Sequence, residues 1–218
     1  LCACLLLAID RYFPDKNNNP AYLSPLDIDV DINMRSHLPQ SPLTANTVGL
    51  CVGMSNLELK RRYSLMSTPF WTLAKECMVA TKKIIANGEI NLRQHLLDNM
   101  VKDEESFNAL TEGCRDGRVS EVNFSNIGKY PFPCNYNDGQ LQLKGLHVTN
   151  NAAIYHVSVV VLVTCVGDSQ LDFSVAHEID NEDKAKDFLN YYVSLIEASA
   201  DSPPDVTLEQ IRSAVVVQ

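Results

Sequence analysis

Three kinds of side chain in this sequence could do chemistry: a row of carboxylates, five histidines and seven cysteines. The carboxylates come in the stretch DIDVDINMRSHLP, residues 27–39, where Asp27, Asp29, Asp31 and Asn33 alternate with Ile28, Val30, Ile32 and Met34. An alternation of period two is the signature of a strand with one polar and one apolar face. The acids resemble the first half of a calcium loop, but such a loop needs glycine at its sixth position and a bidentate acid at its twelfth, where Leu38 stands. Acids on one face of a strand lie about 7 Å apart along it, which suits solvent better than one ion. The expected reading is a solvated strand face leading to Arg35, with no metal site.

The histidines offer no catalytic pair. His95-Leu-Leu-Asp98 falls in a helical pattern and His177-Glu-Ile-Asp180 at a strand end, and neither has a nucleophile or base at a recognisable spacing. His147 and His156 lie in strand patterns as packing or hydrogen-bonding residues. Cysteines 2, 4, 51, 77, 114, 134 and 165 are odd in number and scattered, which favours reduced thiols in a cytoplasmic protein and argues against zinc. Cys51, Cys77 and Cys165 sit in apolar surroundings that disfavour a thiolate. No Walker A, GxGxxG or GxSxG motif occurs.

The elements that must position these residues are those of a mixed α/β protein, expected as one globular unit. With 218 residues, 45% of them hydrophobic and 21% charged, the chain can bury a core. A net charge of -9 argues against nucleic acid or an anionic membrane as the main partner. LCACLLLAID reads as a helix cut off at its start, residues 1–13, too short in its apolar run to span a membrane. A strand over 26–36 carries the arginine. Helices follow over 68–115, one from Thr68 as cap and Pro69 as first residue to a stop at Gly88, one around 91–101, and one over 103–114 capped by Asp103. Strands are expected at 118–128, 141–149, 153–166 and 170–178, with a hairpin turn at Gly167-Asp168. An amphipathic helix to residue 200 and a short helix in TLEQIRSAVV close the chain.

Several segments, in order, carry a resemblance. VDINMRSHLP followed by NTVGLCVG, then VNFSNIGKYPFP, then LQLKGLHVTNN through DFLNYY resemble the C-terminal half of the CoA-dependent acyltransferase superfamily, in its alcohol O-acetyltransferase and condensation-domain-like branch. LCACLLLAI fits the helix before the arginine strand. The resemblance implies half of a chloramphenicol acetyltransferase-like fold, a mixed and largely antiparallel sheet flanked by helices. It implies acyl transfer from acyl-CoA, or from a carrier thioester, to a small alcohol or amine, by a histidine of an H-x-x-x-D motif in the N-terminal half. Here the histidines at 37, 95, 147, 156 and 177 are followed four residues later by Ser41, Asn99, Asn151, Val160 and Asn181, so that motif is missing. The chain is therefore expected to lack its N-terminal catalytic half and to be inactive alone, with acyl-CoA as co-substrate of the complete protein and no tightly bound cofactor.

By the same resemblance Arg35 organises the interface between the halves, pairing with the motif aspartate; the alternative is an exposed arginine at a strand end. Ser125, Asn126 and Gly128 are candidates for the tunnel wall or for oxyanion support, against a turn that merely needs Asn and Gly for its backbone. A non-catalytic acyltransferase-like module for binding or assembly is the competing function.

Overall fold

The run VSVVVLVTCV becomes β6 (Val157–Val166), buried on both faces, as an apolar run without alternation should be. It sits inside a five-stranded sheet of order β2-β1-β3-β6-β7, with β1 (Ile28–Asn33), β2 (Val52–Asn56), β3 (Ser120–Lys129) and β7 (Gln170–His177). β1 pairs with β2, and β6 with β7, antiparallel; β1–β3 and β3–β6 are parallel. The sheet is thus mixed, with both ladder types equally represented. A two-residue ladder of β4 (Asn135–Tyr136) and β5 (Leu141–Gln142) forms a separate hairpin.

In this computed structural model, residues 1–13, 18–25, 28–37, 52–57, 59, 62–88, 99, 101–112, 120–149, 157–167, 170–177 and 181–215 are described. The expected helix at 91–101 lies almost wholly outside them, as do Cys51, Cys114, His95, His156, Asp27 and Asp168. Where one globular unit was expected, the chain divides into two compact units. One comprises Leu1–Asp27, Leu57–Asn87 and Ile179–Gln218; the other comprises Ile28–Asn56 and Gly88–Glu178.

The first unit is helical: α1 (Cys2–Tyr12), α2 (Phe70–Ala86), α4 (Glu182–Ala200) and α5 (Leu208–Ala214). α1 is buried on every side from Ala3 to Asp10, as a helix that is apolar all round must be. It meets α4 through a Tyr12–Phe188 edge-to-face pair at 5.5 Å and Arg11 over the Tyr191 ring at 4.3 Å. α2 differs from expectation at its start. Pro69, in extended conformation, is the N-cap, and no side chain caps the helix. The Thr68 carbonyl instead accepts from Leu208 N (3.1 Å), while Phe70 N donates to Val206 O (2.7 Å), so the starts of α2 and α5 are stitched together. The stop is as expected, with Asn87 as C-cap and Gly88 at φ +67°. α4 is capped by Asn181, whose side chain accepts from Asp183 N and Lys184 N, and α5 by a capping box of Thr207 with Gln210.

The second unit holds the sheet and α3 (Glu104–Glu112), whose cap is Asp103 as expected: Ser106 N donates to its carboxylate at 2.8 Å. The strand expected at 141–149 shrinks to β5. Beyond it, Leu143 N donates to Cys134 O (2.7 Å), and Leu146 is held by side chains: the Asp172 carboxylate accepts from Leu146 N (2.9 Å) and the Thr164 hydroxyl donates to Leu146 O. Gly145 permits this approach; a Cβ there would lie 2.8 Å from Asp172 Oδ2.

Candidate functional site

β1 and β3 bring together residues more than ninety positions apart in the chain. Their parallel register sets Asp29 opposite Asn123 and Val30 opposite Phe124. The two faces of each strand therefore align: Ile28, Val30, Ile32, Val122 and Phe124 bury one side, and Asp29, Asp31, Asn123 and Ser125 share the other. Here the structure corrects the sequence reading. At Asp29 and Asp31 the acidic row is not a solvated face, since Asp29 is 4% exposed and Asp31 half-buried, whereas Asn33 at the end of the strand is exposed. The polar strand beside this row gives Asp31 hydrogen-bond donors in place of water.

Asn123, itself 1% exposed, donates through Nδ2 to Asp31 Oδ1 at 2.9 Å. A side-chain hydrogen bond from Ser125 reaches the same carboxylate. Burial pushes the Asp31 carboxyl above its ordinary range, and the Asp29 charge adds to this, while the bonds from Asn123 and Ser125 hold it back. The Met54 thioether on β2 lies 3.7 Å from Asn123 Nδ2. Asn123 Oδ1 is buried and has no hydrogen-bond partner.

The other sequence candidates fall in two places. The arginine strand ends at Asn33, earlier than 36, and Arg35 sits in a 3-10 turn, Met34–Ser36. Asn33 caps that turn: its side-chain oxygen accepts from Arg35 N at 3.1 Å and from Arg35 Nη1 at 3.3 Å. The guanidinium is thus partly directed by the last residue of the strand. On β3, Ser125 and Asn126 point to opposite faces. Asn126 Oδ1 accepts from Gly128 N at 3.1 Å, Gly128 has φ +84°, and the β3–β6 register shifts between these residues. The SNxG segment therefore combines one side chain in the Asp31 cluster with a bulge built from Asn and Gly. Asp31 and Asn123 are the members that the sequence reading did not assign to a site. The available signal was the alternation of polar Glu121, Asn123 and Ser125 with apolar Val122 and Phe124, which gives this strand a polar face of its own.

Elsewhere, His147 Nε2 lies 3.9 Å from Asp172 Oδ1 with its side chain 67% exposed, which makes it a surface partner of a structural carboxylate. The Cys77 thiol is pushed up to about 12 by burial, consistent with a small core residue rather than a nucleophile. No cluster of three or more His, Cys, Asp or Glu side chains able to hold a metal occurs among the described residues. Nor is any described helix long and apolar enough to cross a membrane.

Comparison with known proteins gives the fold its context. No family model and no curated protein matches the sequence. Among solved structures, PapA2 acyl transferase is similar over 92% of this chain and 38% of its own, at 12% identity and a TM-score of 0.51. Polyketide synthase associated protein 5 from Mycobacterium tuberculosis is similar over 92% of this chain and 46% of its own, at 16% identity and a TM-score of 0.49. The epimerization domain from the third module of tyrocidine synthetase B aligns over 90% and 40%, at 12% identity and a TM-score of 0.43. The chain spans less than half the length of each of these proteins. Its mixed α/β architecture is that of one half of a chloramphenicol acetyltransferase-like fold.

Proposed function

We propose that a chain with half of a chloramphenicol acetyltransferase-like fold works as half of an acyltransferase, the C-terminal one. The observation that carries the reading is the extent of the PapA2 likeness, 92% of this chain against 38% of that one. In this reading the absent H-x-x-x-D motif belongs to a preceding half. Its histidine takes the proton from an alcohol or amine, which attacks an acyl thioester, and the thiol of CoA or of a carrier leaves. Arg35, on the turn that ends β1, is the contribution to the motif aspartate of that half. Ser125 is the residue of the SNxG segment for the tunnel wall, because it shares a face with the polar cluster. Asn126 and Gly128 shape the strand beside it.

The test joins the chain to the reading frame upstream of Leu1 and measures thiol release from acetyl-CoA in the presence of simple alcohols and amines. The expected result is release that requires the upstream histidine and falls at least about tenfold in Arg35→Ala, while the 218-residue chain alone releases nothing. Equal release by a variant lacking that histidine, or an upstream half without one, overturns the catalytic reading in favour of a binding or assembly module.

A further inference from the structure

A cleft of about 250 Å³ opens on the helical unit between the end of α1, residues 18–24 and α5. One continuous set of hydrogen bonds holds its wall. Arg212 Nη1 donates to Asp10 Oδ2 at 2.9 Å, and Ser24 N donates to Asp10 Oδ1 at 2.8 Å. Asn18 Nδ2 donates to Tyr22 O at 2.9 Å and lies 3.5 Å from Ser24 Oγ. Asp10 is thus spent inside the wall: both of its oxygens are bonded and its side chain is 9% exposed. The Arg212 side chain is 24% exposed, and Asp10 takes only one of the five N–H donors of its guanidinium. Arg11 lines the same cleft, and its guanidinium lies over the Tyr191 ring at 4.3 Å. It has no hydrogen-bond or ion-pair partner among the described residues.

We propose that this cleft binds a small organic monocarboxylate, received by the Arg212 guanidinium with the Arg11 charge alongside. A planar guanidinium takes a carboxylate by two parallel N–H···O bonds, which suits the donors that Asp10 leaves unused. Each arginine is already ordered by a neighbour, Arg212 by Asp10 and Arg11 by Tyr191, so less freedom is lost when the ligand arrives. Among the described residues that line the cleft, two arginines stand against one carboxylate. The balance is a single positive charge, which matches a monoanion; a phosphate dianion would leave excess negative charge beside Asp10. Pro20 and Tyr22, also on the wall, supply apolar surface for the rest of a small acid. The volume lies below that of pockets enclosing drug-sized ligands, and suits a short-chain or monocyclic acid. The site stands apart from the acyl-transfer reading, since all its residues belong to the helical unit and none to β1 or the SNxG segment.

The experiment is a fluorine NMR titration of the 218-residue chain with para-fluorobenzoate at low ionic strength, with circular dichroism to confirm folding of each variant. One saturable site with a Kd of about 1 mM is expected, the weak affinity of a ligand of about ten heavy atoms in an open cleft. The neutral isostere, para-fluorobenzamide, should bind at least about tenfold more weakly. Arg212→Lys keeps the charge but loses the planar fork, and weakens the site at least about fivefold. Arg11→Gln weakens it about two- to fivefold, and the loss shrinks as salt is raised. If Arg212→Lys fails to fold, Arg11→Gln, at an exposed side chain, serves in its place. No saturable binding at about 20 mM acid overturns the proposal. So does equal affinity for acid and amide, or equal affinity in the folded variants. Displacement of the acid by inorganic phosphate at a lower concentration than by acetate overturns the carboxylate assignment.

Discussion

Replacing Arg212 by methionine should loosen the helical unit by an amount that the geometry fixes within narrow bounds. Arg212 Nη1 on α5 lies 2.9 Å from Asp10 Oδ2 on α1, and the side chains are 24% and 9% exposed. The other Asp10 oxygen accepts from Ser24 N at 2.8 Å. The bare attraction at that separation is about 6 kcal/mol for an effective dielectric of 20, but most of it is offset by desolvation and side-chain ordering. Exposed pairs contribute about 0–1 kcal/mol and removal of one partner from a fully buried pair costs about 3–5 kcal/mol. A cleft of about 250 Å³ beside the pair, lined also by Arg11, Asn18 and Tyr22, lets water reach it. An intermediate loss of about 2 kcal/mol follows. Methionine retains much of the aliphatic stem, so the change reports the guanidinium.

Trp71, the sole tryptophan, lies on α2 in the same unit, and its fluorescence during urea unfolding reads that unit directly. Asp10→Asn keeps an acceptor for Ser24 N, so it completes a double-mutant cycle with an expected coupling of about 1–2 kcal/mol. A loss below about 0.5 kcal/mol in Arg212→Met, or a coupling near zero, would refute the argument that this contact ties α1 to α5.

The sheet unit offers two further tests around one carboxylate. Gly145→Ala puts a Cβ at 2.8 Å from Asp172 Oδ2, so the carboxylate must withdraw from Leu146 N. A loss of about 1–3 kcal/mol is expected in denaturant unfolding, largely abolished when Asp172 is already alanine. The hydrogen bond from Gln170, with that from Leu146 N and the nearby His147, holds the Asp172 carboxyl below its ordinary range. Its contribution to stability is therefore present above the ordinary carboxylate pKa and is lost as pH falls through the lowered one. Asp172→Asn should flatten the acid limb of the stability profile, and an unchanged limb would count against the assignment.

What was legible in the sequence was mostly local. Asp103 at a cap, Gly88 at a stop and the β6–β7 hairpin each depend on residues within a few positions of one another. The mixed α/β class followed from the change of hydrophobic period along the chain. The start of α2 was misplaced because Thr68 and Pro69 fit a cap-then-proline pattern, while the Thr68 carbonyl is engaged by Leu208, 140 residues on. The end of β1 was misplaced because Asn33 looks like another member of the polar row, yet its side chain turns back to cap Met34–Ser36. The burial of the acidic row was illegible for a similar reason. Alternation reports which residues share a face. It does not report what lies beside that face, and Asn123 arrives only through the parallel β1–β3 register.

The same register explains why a short motif such as SNxG is a poor guide to a site when read as a unit. Within β3 adjacent side chains diverge, so Ser125 and Asn126 cannot act on one ligand while the strand remains regular. The bulge does not reverse this, since its register shift falls after Asn126. Ser125 is joined to Asp31, whereas Asn126 is spent on the amide of Gly128, whose φ of +84° favours glycine. Substitutions at the two positions should therefore separate chemistry from architecture. Loss of the Ser125 hydroxyl acts on the Asp31 cluster alone. Loss of the Asn126 side chain acts on the bulge, and through it on the last β3–β6 pairs, Gly128 with Thr164 and Lys129 with Cys165.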